Sequence, residues 1–223
     1  YVTGRSDNGG DDDYVTIKYS ASGASVWNKT MDNGGNDRAE DIDIDATGNV
    51  YIAGRSSNGL DNDIRTVKYS SAGTVLFNVA YDYIEDDRGD LIDVADDGSF
   101  VVAGRSDVAI GASINYDITI ANYSASGILI WDSTYGNTSN TDDAITDIQF
   151  TADGGVIFCG YSVQSAATLT IFNQFANKLN ATGNTSWTYT YAASPNNNDQ
   201  FFACAELTNG SVVTCGTSED ANA

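Results

Sequence analysis

An apolar strand ending in glycine recurs along the chain, and this recurrence constrains the fold more than any other feature. The stretch Asn49-Val50-Tyr51-Ile52-Ala53-Gly54-Arg55-Ser56 is echoed by Tyr1-Val2-Thr3-Gly4-Arg5-Ser6 and by Phe100-Val101-Val102-Ala103-Gly104-Arg105-Ser106. Weaker copies lie at Val156-Ile157-Phe158-Cys159-Gly160-Tyr161-Ser162 and Val212-Val213-Thr214-Cys215-Gly216-Thr217-Ser218. The glycines at 4, 54, 104, 160 and 216 set periods of 50, 50, 56 and 56 residues. At a shift of 50, residues 1–50 and 51–100 agree at 20 of 50 positions, so the chain is an internal repeat.

Each repeat holds four strand-like runs. In the first they are Tyr1 to Ser6, Asp13 to Tyr19, Ser25 to Thr30 and Glu40 to Asp45. Val15, Ile17 and Tyr19 alternate with Thr16 and Lys18, the period of a strand. Turn glycines at 23, 73, 127 and 183 and hairpin glycines at 48, 98, 154 and 210 keep the plan going. The aromatic of the third run is Trp27, Phe77, Trp131 and Trp187. Repeats span about 1–50, 51–100, 101–156 and 157–212, with a fifth begun at 213; the fourth carries extra residues between Gln164 and Asn180.

Four short antiparallel strands per 50 residues describe the blade of a β-propeller. Val50-Tyr51-Ile52-Ala53 is apolar at every position, and alternate side chains leave opposite faces of a strand, so both faces must be covered. A blade between two neighbours provides that cover. The expected fold is therefore all-β: a propeller of four-stranded antiparallel blades, one array over residues 1–223.

Gly48-Asn49-Val50-Tyr51-Ile52-Ala53-Gly54 followed by Asp63 to Tyr69 resembles the SBBP repeat of secreted bacterial β-propellers, as do Asp13-Tyr14-Val15-Thr16-Ile17-Lys18-Tyr19-Ser20-Ala21-Ser22-Gly23 and Trp27. The likeness is clear to about Ser162 and loose beyond it. It implies a seven-bladed propeller within a larger exported protein, at the cell surface or outside the cell. It implies no activity, because the family is defined by its scaffold. Only four repeats and one further strand are present, so the chain reads as an excerpt of a longer array.

The charge balance excludes some partners. There are 31 acidic and 10 basic residues, a net charge of −21. Nucleic-acid binding needs clustered Lys and Arg, so it is not expected. No apolar run approaches the length of a membrane helix, and no membrane insertion is expected. His is absent, which removes the commonest general base and any Ser-His-Asp triad.

Alternate connections of an antiparallel sheet share one end. The long loops at 7–12, 32–37, 57–62, 82–87, 107–115, 136–142 and 191–199 therefore mark the face expected to meet a protein or glycan partner. Asp7, Asp11, Asp12 and Asp13, echoed by Asp61 and Asp63, form the sharpest acidic group, of the kind Ca²⁺ favours. A self-repelling, solvated loop is the bland reading of the same residues. Asp41, Asp43 and Asp45 share a strand face and could line a channel, although a polar edge reached by water is the simpler account. Asp37, Asp87, Asp143 and Asp199, and Arg5, Arg55 and Arg105, recur in register. Recurrence points to structure, with Asp accepting loop N–H groups and Arg pairing with a carboxylate. Of the Asn-x-Ser/Thr triplets, Asn137 is placed in a loop where a glycan would fit.

A two-residue Asn209-Gly210 turn would set Cys204 opposite Cys215 and allow a disulfide, though in a hydrogen-bonded pair whose geometry suits one poorly. Cys159 reads as a small core residue. Three function classes follow: a non-enzymatic structural or binding module at a cell surface, a calcium-dependent glycan-active enzyme domain, and an assembly subunit meeting other chains through blade edges. The first needs no unique reactive constellation, and none is visible.

Overall fold

The structure is a computed structural model. It describes residues 1–7, 9–83, 85–108, 115–136, 142–166, 169–191 and 198–218. Asn137 and most of the loops 107–115 and 191–199 lie outside the described residues. The described residues form seventeen strands and no helix, in antiparallel sheets. The first sheet holds β1 (Val2–Asp7), β2 (Asp12–Tyr19) and β3 (Ser25–Met31). The second holds β4 (Asp37–Ile44), β5 (Val50–Ser57), β6 (Asn62–Tyr69) and β7 (Val75–Tyr81). The third holds β8 (Asp87–Val94), β9 (Phe100–Asp107), β10 (Tyr116–Tyr123) and β11 (Leu129–Tyr135). The fourth holds β12 (Asp143–Phe150), β13 (Val156–Ala166), β14 (Leu169–Leu179) and β15 (Thr185–Tyr191), and β16 (Asp199–Glu206) pairs with β17 (Val212–Ser218) as the fifth.

The sequence repeat and the sheet are offset by one strand. The run ending each repeat pairs forward, β4 with β5 and β8 with β9, because the turns at 45–49 and 95–99 are tight hairpins. The expectation of one complete four-stranded blade per repeat is corrected on this point. Three sheets have four strands, the first has three and the last two. Both β1 and β17 are sheet edges. The extra residues of the fourth repeat lengthen one hairpin, giving β13 and β14 eleven residues each.

Two compact units divide the chain: residues 1–106 with 121–130, and 107–120 with 131–223. In the first, side chains of β5 leave alternately to two neighbouring sheets. Val50 and Ile52 join Tyr14, Met31 and Val67 in one core, while Tyr51 and Ala53 join Phe100, Val102, Ala121 and Tyr123 in another. All four β5 residues are 0% exposed. The two-sided burial expected from their composition is observed, and each large side chain so buried contributes about 1.5–3 kcal/mol. In the second unit Ile157, Cys159 and Ala176 meet Phe201 and Cys204 in the same manner.

The recurring glycine answers a local constraint. Each leading edge strand carries a bulge, at Ala39/Asp41, Gly89/Leu91, Ile145/Asp147 and Phe201/Ala203. The bulge swings a carbonyl oxygen over the opposite strand, Arg38 O over Gly54 and Arg88 O over Gly104. A Cβ there would overlap that oxygen. Gly4 lies in the sheet that has no such edge strand, and nothing stands within 4 Å of its missing Cβ. Gly104→Ala is therefore expected to cost about 1–3 kcal/mol by overpacking, and Gly4→Ala less than about 0.5 kcal/mol. Denaturant unfolding of the two variants side by side checks this.

Asp41 follows the first of these bulges, and its role is structural. Its Oδ1 accepts from Ile42 N at 2.8 Å and its Oδ2 from Ile92 N of the next sheet at 2.9 Å. Asp43 repeats the arrangement with Ile44 N and Val94 N, both at 2.8 Å. In the second unit Asp147 joins Ile148 N and Cys204 N. These acids staple successive edge strands together.

Asp45 instead organises the following hairpin. Its Oδ1 accepts from Thr47 N, Thr47 Oγ1 and Asn49 N, and its Oδ2 from Asn49 Nδ2 at 2.8 Å, with Lys68 Nζ at 3.5 Å. Burial raises its pKa, but the bonds from Asn49 and Thr47 outweigh that and hold the carboxyl well below the usual range. A carboxyl depressed in the folded state adds stability that is present above the unfolded value of about 3.9 and is lost as pH falls further. Asp45→Asn is expected to cost about 1–2 kcal/mol at pH 7. In thermal unfolding from pH 7 down to 2, the gap to the wild type should close below about pH 4.

Candidate functional site

The long-loop acids do not gather as the sequence spacing suggests. Asp7 is exposed, and its Oδ1 accepts from Gly9 N at 2.7 Å within its own turn. Asp12 faces Arg5 at 2.8 Å and Arg38 at 3.5 Å, so its charge is matched by guanidinium groups. Asp11 is half-buried beside it in sequence. Asp61 accepts from Asn58 Nδ2 at 2.6 Å, and Asp63 from the same nitrogen at 3.0 Å. Of the expected set of Asp7, Asp11, Asp12, Asp13, Asp61 and Asp63, only Asp13 enters a group of three close carboxylates among the described residues.

A different group converges instead. One carboxylate oxygen each from Asp13, Asp32 and Asp37 lies within 4.8 Å of the others. Alternation along β2 sends Asp13 to the opposite face from Asp12, and Asp13 is 4% exposed. Asp32 follows β3, is exposed, and accepts from Gly34 N through Oδ1. Asp37 opens β4, is 0% exposed, and accepts from Asn33 N at 2.7 Å through Oδ2. Across the β4–β5 ladder from Asp37 stands Ser56, also 0% exposed. Its hydroxyl lies beside the carboxyl as a buried hydrogen-bonding neighbour. Burial raises the Asp37 pKa against the opposing pull of Ser56 and the Asn33 N–H.

The same three positions recur fifty residues on as Asp63, Asp82 and Asp87. Burial pushes Asp87 up to about 6, against bonds from Ser106 and Tyr83 N, and the charges of Asp82 and Asp63 push the same way. One repeat further on, Asp117 of β10 and Asp143 of β12 remain, and Gly136 stands where Asp82 would be. A side chain at Gly136 would overlap the Asp117 carboxylate. The convergence was readable in part, because Asp13, Asp32 and Asp37 are all identities of the fifty-residue shift. Their meeting was not, because it depends on β4 pairing forward into the next sheet. The recurring Asp37 and Asp87 do accept loop N–H groups as expected, from Asn33 and Tyr83. Arg5 and Arg105 likewise meet carboxylates, those of Asp12 and Asp90.

The cysteine pairing is corrected. The turn at 207–211 is not a two-residue hairpin: Leu207 N bonds Ser211 O, and Gly210 takes a φ of 80°. This is the three-residue turn with a glycine bulge, and it shifts the register by one. Cys204 then pairs with Thr214, and Cys215 with Ala203. One residue of shift turns a side chain to the opposite face. Cys204 is buried, Cys215 exposed, and all three cysteines are free thiols. Cys159 and Cys204 instead share a core with Phe201. Their mutual hydrogen bond, followed by burial, pushes the Cys204 thiol up. In native protein one thiol, Cys215, is expected to react promptly with a disulfide reagent such as Ellman's; the other two should react only on unfolding. Cys215→Ser should remove the fast phase.

A feature with no sequence signal lies in the second unit. Tyr189 and Tyr191 of β15, with Gln174, Phe201, Thr214 and Gly216, line a cleft of about 310 Å³ beside the edge strand β17.

No protein-family model matches the sequence, and no curated protein matches it.

Proposed function

We propose that the chain is a run of β-propeller blades of the SBBP kind, acting without catalysis as an exported structural or binding module. Its long-loop ends would meet a protein or glycan partner at a cell surface. One observation carries this reading: the polar side chains recur at the sheet period and are bonded to the scaffold. Asp41 and Asp43 bind N–H groups of the next sheet. Asp45 holds a turn. Trp27 Nε1 and Lys18 Nζ both donate to Ser71 O of the neighbouring sheet. A catalytic group is needed once, whereas groups that stack sheets are needed in every sheet.

Function resides in a site rather than in a fold, so the reading is tested at the loops. The whole chain, applied to a glycan array and to immobilised extracellular matrix proteins, is expected to bind saturably at one or more positions. Substitution of exposed loop residues such as Asn58 and Leu60 should weaken that binding. The same preparation should release no reducing ends from a panel of polysaccharides. Turnover abolished by a single carboxylate substitution would instead favour the glycan-active enzyme.

A further inference from the structure

We infer that Cys159 and Cys204 form a disulfide that links the fourth sheet to the fifth. Cys159 lies on β13 and Cys204 on β16. Two adjacent residues of β12 hold the pair together. Thr146 Oγ1 stands 3.6 Å from Cys159 Sγ and donates to Phe201 O of β16 at 2.7 Å. Asp147 is the cross-strand partner of Cys159, and its Oδ2 accepts from Cys204 N at 2.8 Å. Both thiols lie in the core that Ile157, Ala176 and Phe201 close, and they are hydrogen-bonded neighbours there.

The first unit shows what these two positions hold without sulfur. There Ala53 and Ile92 share a core, and Ile92 N donates to Asp41 as Cys204 N does to Asp147. Ala53 precedes its motif glycine as Cys159 does, and Ile92 follows its bulge as Cys204 does. A small and a large side chain have given way to two of intermediate size, and both are cysteine. The bond needs an oxidant, here a small-molecule disulfide of the glutathione type. One cysteine thiolate attacks a sulfur of that disulfide and expels a thiolate. The second attacks the protein sulfur of the mixed disulfide and expels the other. Two protein thiols thereby lose two protons and two electrons, and the oxidant leaves as two thiols. Cys159 and Cys204 are 0% and 3% exposed, which closes both to reagents once folded. The exchange therefore belongs to the folding chain, before β16 docks on β13, and is independent of what the loops bind.

The test uses the full 223-residue chain carrying Cys215→Ser, which removes the exposed thiol. Reduced protein is unfolded, then refolded either in a glutathione redox buffer or in dithiothreitol, and intact masses and non-reducing peptide maps are recorded. The oxidised monomer is expected to be lighter by two hydrogen atoms, with Cys159 and Cys204 in one linked peptide. Ellman's reagent in denaturant should find no thiol in it, and both in the dithiothreitol sample. Its Tm should exceed that of the reduced sample by roughly 5–10 °C. Cys159→Ala combined with Cys204→Ile restores the pair of the first unit; this double variant should fold, with a Tm that does not depend on the redox buffer. Thiols that still titrate after oxidative refolding, glutathione adducts on separate peptides, or a bond between two chains would overturn the inference. So would an equal rise of Tm in the double variant.

Discussion

The structure depends on burying one strand from both sides. A β-strand whose every side chain is apolar has no solvent face, and β5 places Val50 and Ile52 against one sheet and Tyr51 and Ala53 against another. A sheet built on such a strand needs a neighbour on each side before its core closes. In arrays of this kind stability approximates a sum of sheet terms and nearest-neighbour interfaces, and here the interface is where the apolar residues lie. The exposure of Val2 and Val213, 55% and 51%, marks β1 and β17, edge strands of the first and last sheets.

Polar groups then fix how neighbours meet. The bulge in each leading edge strand brings a carbonyl over the motif glycine and precedes Asp41 and Asp147, whose carboxylates reach the backbone of the next sheet. Apolar contact is non-directional, whereas a carboxylate accepting an N–H sets spacing and register. Much of the acidity thus has an address inside the scaffold. The charge of −21 need not be read as a surface meant wholly for solvent or for ligands.

The all-β class, the strand positions and the two-sided burial of Val50 to Ala53 were legible because they follow from a period and from strand alternation. The pairing of strands into sheets was less so. Nothing in the composition of Glu40 to Asp45 says whether it pairs backward or forward; the tight turn at 45–49 decides it. The cysteines were misjudged for a similar reason. An Asn-Gly pair suggests a two-residue hairpin, but here the glycine serves a three-residue turn, and one residue of register separates Cys204 from Cys215. The acidic loop Asp7 to Asp13 was visible as composition. Which of its members turn toward Asp37 required knowing which face of β2 meets the following sheet.

The offset between repeat and sheet reaches beyond folding. Each four-stranded sheet is sewn from two successive sequence repeats, so covalent chain crosses every junction that the apolar cores also hold. Duplication of any window of about one repeat length, wherever its ends fall, would add one whole sheet with the right partners on both sides. Loss of such a window would remove one just as cleanly. A lineage carrying this architecture can lengthen or shorten it by recombination at almost any breakpoint, with no need for the cuts to find a loop.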